Sequence, residues 1–273
     1  MVALHTTCAP VNYKYVIQSY LFWNIQVDKF REDITTEAEH LIADFFPRKC
    51  IELDALLKED FLQLEKTTSV KGPINLPVPD PIVLNHNDSD NQNGPSSSKK
   101  RKLATTVNEH GEAGESGTKV FIFPNGVVPC NEKVLKIVDL LKPEVRTLIE
   151  KCNTVRMWVT LLIPKIEDGN NFGVSIQEET LSELRQVEGE SASFLDQISK
   201  YFFTRGQIIA KAAKYPHIGD YRQFIGELDE KQFLSLRLIA SELRNHYSVL
   251  HDMIIKNIEK IKKPRNVNID GMY

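Results

Sequence analysis

Ile163-Pro-Lys-Ile-Glu-Asp-Gly-Asn-Asn-Phe-Gly173 is the stretch on which the reading of this fold turns. Pro164 removes a backbone donor and discourages a helix from continuing. Lys165, Ile166 and Glu167 follow, and then Asp168, Gly169, Asn170 and Asn171 form a run of turn residues, with Phe172 and Gly173 behind them. Ser175, with Glu178 three residues on, reads as a capping box that restarts a helix. A plain helix-to-helix connection needs only ~2–8 residues, so the spacing alone is that of a connector. Two carboxylates, two amides and an exposed-looking Phe172 give it more chemistry than a connector requires.

On either side the apolar residues recur at helical spacing. Upstream, Leu135, Val138, Leu141, Val145, Leu148, Cys152, Val155 and Val159 predict a helix from about Asn131 to Ile163, bent at Pro143. Trp158 on it reads as core or subunit contact. Downstream, Leu184, Val187, Ser191, Phe194, Ile198 and Tyr201 predict a helix from Ser175 to about Tyr215, with small residues at Gly189, Ser191, Ala192 and Ser193. A further helix is expected from Asp220, as N-cap with Gln223 behind it, to Pro264. Its stripe Leu236, Ile239, Leu243, Tyr247, Leu250, Ile254, Ile258 and Ile261 is opposed by Leu234, Leu238, Val249 and Met253, so two faces seek cover.

The first helix is expected over 27–64, on Phe30, Ile34, Ala38, Leu41 and Phe45, with Pro47 kinking or interrupting it. Pro73, Pro77, Pro79 and Pro81 then impose an extended chain. Residues 85–117, rich in Asn, Asp, Ser, Gly and Glu, lack the apolar groups that offset ordering entropy, and disorder is expected there. Lys119-Val-Phe-Ile-Phe-Pro124 returns to apolar character before a Pro-Asn-Gly turn. The organisation is therefore a divergent extension at 1–26, helix one at 27–66, an insert at 67–118, and three helices at 119–273 carrying the loop (164–173) and a tail (264–273). The fold class is all-α, an elongated four-helix bundle whose spare apolar stripes point to self-assembly.

Composition bounds the function. A hydrophobic share of 41% with 26% charged residues is that of a soluble globular chain. A net charge of −3 gives no basic field, so direct nucleic-acid binding is not expected. Residues 15–25 are apolar but too short to span a bilayer, and polar Gln18, Ser19 and Asn24 interrupt them as a leader; no membrane partner is expected. Cys8, Cys50, Cys130 and Cys152 are far apart and read as reduced thiols, with no metal site and no cofactor implied. There is no P-loop, G-x-S-x-G, H-E-x-x-H or G-x-G-x-x-G, and the adjacent Glu167 and Asp168 lack the pocket an acid–base pair needs, so no catalytic residue is assigned. Lys99, Lys100, Arg101 and Lys102 stand together inside the polar insert and fit a nuclear localisation signal read by an import receptor.

Longer words carry a resemblance. Cys152-Asn-Thr-Val-Arg-Met-Trp-Val159 runs into the loop and on to Glu179. Phe45-Phe-Pro-Arg-Lys49, Asn75-Leu-Pro-Val-Pro-Asp-Pro81, Ala213-Lys-Tyr-Pro-His217, Glu242-Leu-Arg-Asn245 and Leu250-His-Asp-Met-Ile-Ile-Lys-Asn-Ile-Glu-Lys-Ile261 follow the same order. Together they resemble the 11S (REG) proteasome activators, above all the nuclear gamma type, over roughly 27–273 with a diverged middle. The resemblance implies a heptameric ring of four-helix subunits that activates the 20S proteasome without ATP and is not itself an enzyme. It implies that residues 164–173 form the activation loop pressing on the outer (alpha) ring. It also implies that the tail ending Asp270, Gly271, Met272 and Tyr273 docks between subunits of that ring. The rival readings from the residues alone are a nuclear helical scaffold or adaptor, and a nucleic-acid binder through Lys99–Lys102.

Replacing Lys99, Lys100, Arg101 and Lys102 by Ala is expected to move the protein toward the cytoplasm while leaving its thermal unfolding unchanged, because the cluster sits in a segment too polar to supply core contacts. Imaging of tagged wild type and variant in cells, beside a melting curve of each, checks both halves.

Overall fold

The computed structural model describes residues 13–80, 125–166 and 171–265. Five α-helices carry it: α1 (Tyr13–His40), α2 (Phe46–Leu57), α3 (Glu132–Leu162), α4 (Phe172–Lys214) and α5 (Gly219–Lys262). No strand occurs among the described residues. The 43 residues of α4 and 44 of α5 make rods of about 65 Å at 1.5 Å per residue. Cross-contacts fix an up-and-down bundle. Arg156 on α3 pairs with Glu188 on α4 at 3.0 Å, and His246 on α5 reaches back to Glu190 on α4. Lys151 on α3 meets Glu37 on α1 while Lys49 on α2 meets Glu144, so the first rod runs antiparallel to α3. Burial alone would disfavour the Lys49 ammonium, but Glu52 and Glu144 outweigh it and hold its pKa above the ordinary lysine value.

The first rod differs from the expected 27–64. It begins at Tyr13, because no Pro or Gly interrupts the chain between Pro10 and Pro47. It ends at Leu57 rather than Leu64, and short 3₁₀ turns at Asp60–Leu62 and Leu64–Val70 take over. Pro47 does not break the rod but is preceded by a π-helical turn, Leu41–Phe45, in which the Phe46 N–H reaches the Leu41 carbonyl. The same register would pair the Ile42 carbonyl with Pro47, which has no N–H to give. His251 fills the gap: its Nδ1 lies 2.7 Å from that carbonyl, which can only accept, so Nδ1 carries the proton.

Two start signals also differ. Helix α4 begins at Phe172, so Ser175 is no N-cap; its hydroxyl donates back to the Asn171 carbonyl at 3.2 Å. Helix α5 begins at Gly219, with Asp220 in its first turn beside the dipole and Gln223 bonded to Glu227 one turn on. In contrast, Asn131 caps α3 as a side chain should, accepting from the Lys133 and Val134 N–H groups at 3.2 Å.

The stripes read from the sequence meet in one core in which Phe46, Leu148, Trp158, Leu184, Leu236 and Tyr247 are wholly enclosed. The Phe46 and Tyr247 rings lie 5.4 Å apart, and burial pushes the Tyr247 phenol up. Of the second face of α5, Met253 packs on the core, whereas Leu234, Leu238 and Val249 stay exposed. The small-residue patch of α4 divides: Ser191 is buried, while Gly189 faces open space with no atom within 4 Å of where a side-chain methyl would stand.

One carboxylate ties the insert to the bundle. Asp229 on α5 is fully buried. Its Oδ1 accepts from Arg205 Nε and Tyr201 Oη on α4, each at 2.9 Å. Its Oδ2 accepts from Asn131 Nδ2 at 2.7 Å and from the Gly72 N–H at 3.0 Å. Asn131 Nδ2 also donates to the Val70 carbonyl, and Arg205 Nη1 to the Pro129 carbonyl. Burial, with the Asp229 charge, pushes the Tyr201 phenol up, so it remains a donor. The extended 71–80 segment then lays Leu76 against Ile209, Ala212 and Ile225, and Arg222 bonds the Leu76 carbonyl at 3.0 Å.

Asp229→Ala strands a buried guanidinium and three other donors, and is expected to cost about 3–5 kcal/mol. Urea unfolding followed by circular dichroism reads the loss; a change below ~1 kcal/mol would show that the carboxylate is not the tie described.

Candidate functional site

The candidate site lies at the end of the bundle where α3 stops, α4 starts and α5 stops. Helix α3 ends at Leu162 because Pro164 follows, and Ile163 turns the chain with its N–H on the Thr160 carbonyl. Pro164 is half-buried, while Lys165 and Ile166 stand out into solvent. Asn171 and Phe172 resume on the other side; Phe172 is 72% exposed, so an apolar side chain flanks each shoulder of the turn. Glu167, Asp168, Gly169 and Asn170 lie outside the described residues, as do the tail residues Asp270–Tyr273 and the basic cluster Lys99–Lys102.

Two residues lock these shoulders to the end of α5. Gln177, one turn into α4 and fully buried, donates from Nε2 to the Leu162 carbonyl at 3.2 Å and to the Ile261 carbonyl at 2.8 Å. One amide thereby satisfies the last turns of two helices whose carbonyls have no intrahelical partner. Gly173 makes the second lock. A Cβ there would fall 2.1 Å from the Pro264 carbonyl oxygen and 2.5 Å from its Cα, so backbone passes where any other residue carries a side chain. Arg265 Nη2 bonds Asn171 Oδ1 at 3.3 Å, and Lys262 bonds Glu39 on α1 at 2.7 Å. The chain that leads to the tail therefore departs from the very shoulder on which the turn stands.

The sequence marked Pro164, Asn171, Phe172 and Gly173 as a turn, and the structure brings them beside the residues before the tail. Sequence pattern did not mark Gln177 or Pro264. Gln177 carried no mark at all, and Pro264 was marked only as a helix stop. Among the described residues no cluster of three or more His, Cys, Asp and Glu side chains could hold a metal ion, and no helix is long and apolar enough to cross a membrane. Cys50, Cys130 and Cys152 are free thiols, and burial pushes the Cys152 thiol up, with Glu188 adding to the shift. His246 and His251 serve structural contacts on different neighbours, and His217 sits in the turn between α4 and α5.

The chain is similar to known proteins over most of its length. The family described as Proteasome activator PA28, C-terminal, matches residues 127–271, and its companion, Proteasome activator PA28, N-terminal, matches 24–81. The chain is 58% identical over 249 residues to Proteasome activator complex subunit 3 of Gallus gallus, covering 91% of this chain and 95% of that one. It is 57% identical over the same length to the Homo sapiens protein of that name, with the same coverage. Among solved structures it is similar to the 11S subunit of the Plasmodium falciparum proteasome, PA28, with a TM-score of 0.66 and 26% identity over 97% of this chain and 100% of that one.

Gly173→Ala is expected to lower stability by roughly 1–3 kcal/mol, since Pro264 has to move. Gly189→Ala and Gly206→Ala, both in helix interiors with open space at the new methyl, should raise it by up to ~1 kcal/mol. Urea midpoints of the three variants against wild type decide it.

Proposed function

This chain belongs to the PA28 family of proteasome activators, and we propose that it stimulates the 20S proteasome without ATP, as a ring of identical copies, while catalysing no cleavage itself. The observation that carries this reading is the convergence at one end of the bundle. Both shoulders of the 164–173 turn and the start of the 264–273 tail are bolted together through Gln177, Gly173 and Arg265.

The physics is linkage. A ring that binds an open-gate proteasome more tightly than a closed one shifts the gate toward open by its difference in affinity. In this reading the tail, through Asp270, Gly271, Met272, Tyr273 and the terminal carboxylate, supplies affinity by entering a pocket that pairs a negative group with a fixed cation. The turn, with Glu167 to Asn170 at its tip, supplies the difference by pressing on the gate. Because the two share one anchorage, seating the tail sets the height of the turn. Seven copies, as the 11S architecture implies, would act together, so a weak tail suffices for tight capture. Exposed Leu234, Leu238 and Val249 on α5 provide apolar surface of the kind copies of the chain would cover. The Lys99–Lys102 cluster would bring the ring to the nucleus through an import receptor.

Two measurements test the reading. The purified protein should accelerate hydrolysis of a small fluorogenic peptide by 20S proteasome with no nucleotide present. Deleting Gly271, Met272 and Tyr273 should abolish capture of the proteasome while leaving the elution volume on gel filtration unchanged, since the last core residue of α5 is Ile261. A truncated ring that still pulls down proteasome overturns the role given to the tail.

A further inference from the structure

The turn at the bundle end has two shoulders, and the root of the tail is tied to each in a different way. Asn171 and Gly173 belong to the downstream shoulder. Pro264 passes over Gly173, and Arg265 Nη2 bonds Asn171 Oδ1 at 3.3 Å. Gln177 stands one turn after Gly173 on the same face of α4, so two successive positions of that face hold the chain from Ile261 to Pro264. The Gln177 amide also brings in the upstream shoulder. Its Nε2 carries two hydrogens; it donates to the Ile261 carbonyl at 2.8 Å and to the Leu162 carbonyl, two residues before Pro164, at 3.2 Å.

The amide acts here through its donors. Gln177 is fully buried, and its Oε1 accepts nothing among the described residues. Turning the amide over would set Oε1 against two carbonyl oxygens, so the two donated bonds fix its orientation. Both acceptors lie in the last turns of helices, where the dipole leaves partial negative charge and a donor is favoured. A buried polar side chain with an empty acceptor breaks the rule that such groups are satisfied, and breaches of that kind concentrate at functional sites. The Arg265–Asn171 and Lys262–Glu39 contacts are solvent-exposed, where water competes for each partner. The Gln177 to Ile261 bond is buried and does not exchange with water.

We propose that Gln177 is a positioning residue for gate opening, and that capture of the proteasome does not need it. The inference rests on the activator reading and deepens it by separating two steps within one site. Capture draws on the tail, whose root keeps its hold on the downstream shoulder through Gly173 and Arg265 when the amide is gone. Opening draws on the difference in affinity for open and closed gates, which the turn supplies by resisting displacement. With Gln177 the turn stands on both shoulders over the root of the tail. Without it the upstream shoulder is released from that root, and the turn gives way when it meets the gate.

The test is Gln177→Met, which keeps an unbranched side chain of similar length and removes both donors. Stimulation of peptide hydrolysis by 20S proteasome is titrated for wild type and variant, with oligomeric size measured by analytical ultracentrifugation. Size should not change, maximal stimulation should fall about fivefold or more, and the concentration for half-maximal stimulation should stay within about twofold of wild type. An unchanged maximum overturns the proposal and leaves the amide as a closure of two helix ends. A half-maximal concentration that shifts further than that, whatever the maximum, overturns it too, because capture and opening are then not separated. If the variant alone sediments as a smaller species, tagged variant is assembled with wild type at equal amounts. Full-size mixed rings with a reduced maximum support the proposal. Mixed rings that match wild type, or a variant that enters no ring, overturn it in favour of a purely structural amide. Wild type that neither binds nor stimulates the proteasome overturns the activator reading itself, and with it the role given to Gln177.

Discussion

The fold depends on one carboxylate that has no access to water. Asp229 collects four hydrogen bonds, from Tyr201, Arg205, Asn131 and the Gly72 N–H. A buried carboxylate is tolerated only when its charge is matched and its lone pairs are filled, and here both conditions hold. What makes it central is the origin of the donors. Tyr201 and Arg205 belong to α4, Gly72 lies near the start of the insert, and Asn131 follows the insert while capping α3. The relative height of three rods and the two ends of a long connection are set at one point. Apolar contacts alone would let rods of this length slide by a turn; a directional polar hub fixes their register.

The opposite end of the bundle is organised by backbone rather than by charge. Gln177 gathers the last carbonyls of α3 and α5, and Gly173 lets Pro264 pass at contact distance. Both hold main-chain groups, one through a buried side-chain amide and one through the absence of a side chain, so the turn and the start of the tail share one footing. A part that pushes on a partner needs a rigid footing more than it needs reactive groups.

Much of this was legible from the chain. The stripes of α3, α4 and α5, the Asn131 start, the stop before Pro164 and the extended Pro-rich segment follow from periodicity and proline chemistry, and they recur in the structure within a few residues. The misses share a cause. Ser175 with Glu178 satisfies the local rule for a cap, yet the helix starts at Phe172, where Gly173 meets Pro264, and a contact so distant along the chain leaves no local mark. The π turn before Pro47 was hidden for the same reason, because the His251 ring that completes it comes from α5. Asp229 carried no mark in the sequence, since pattern cannot distinguish a solvated carboxylate from one surrounded by donors.

The grip on both ends of the insert has an evolutionary consequence. Asn75 and Asn125 are hydrogen-bonded to each other across it, at 3.1 and 3.2 Å, in addition to the ties made through Asp229. A connector strung between fixed posts changes the free energy of folding only logarithmically with its length, by about 0.6 kcal/mol per doubling. Its composition and length are thus free to drift without strain on the rods, and the matched family regions indeed stop at 81 and resume at 127. Selection can rewrite the sequence of that interval while the rods around it stay the same.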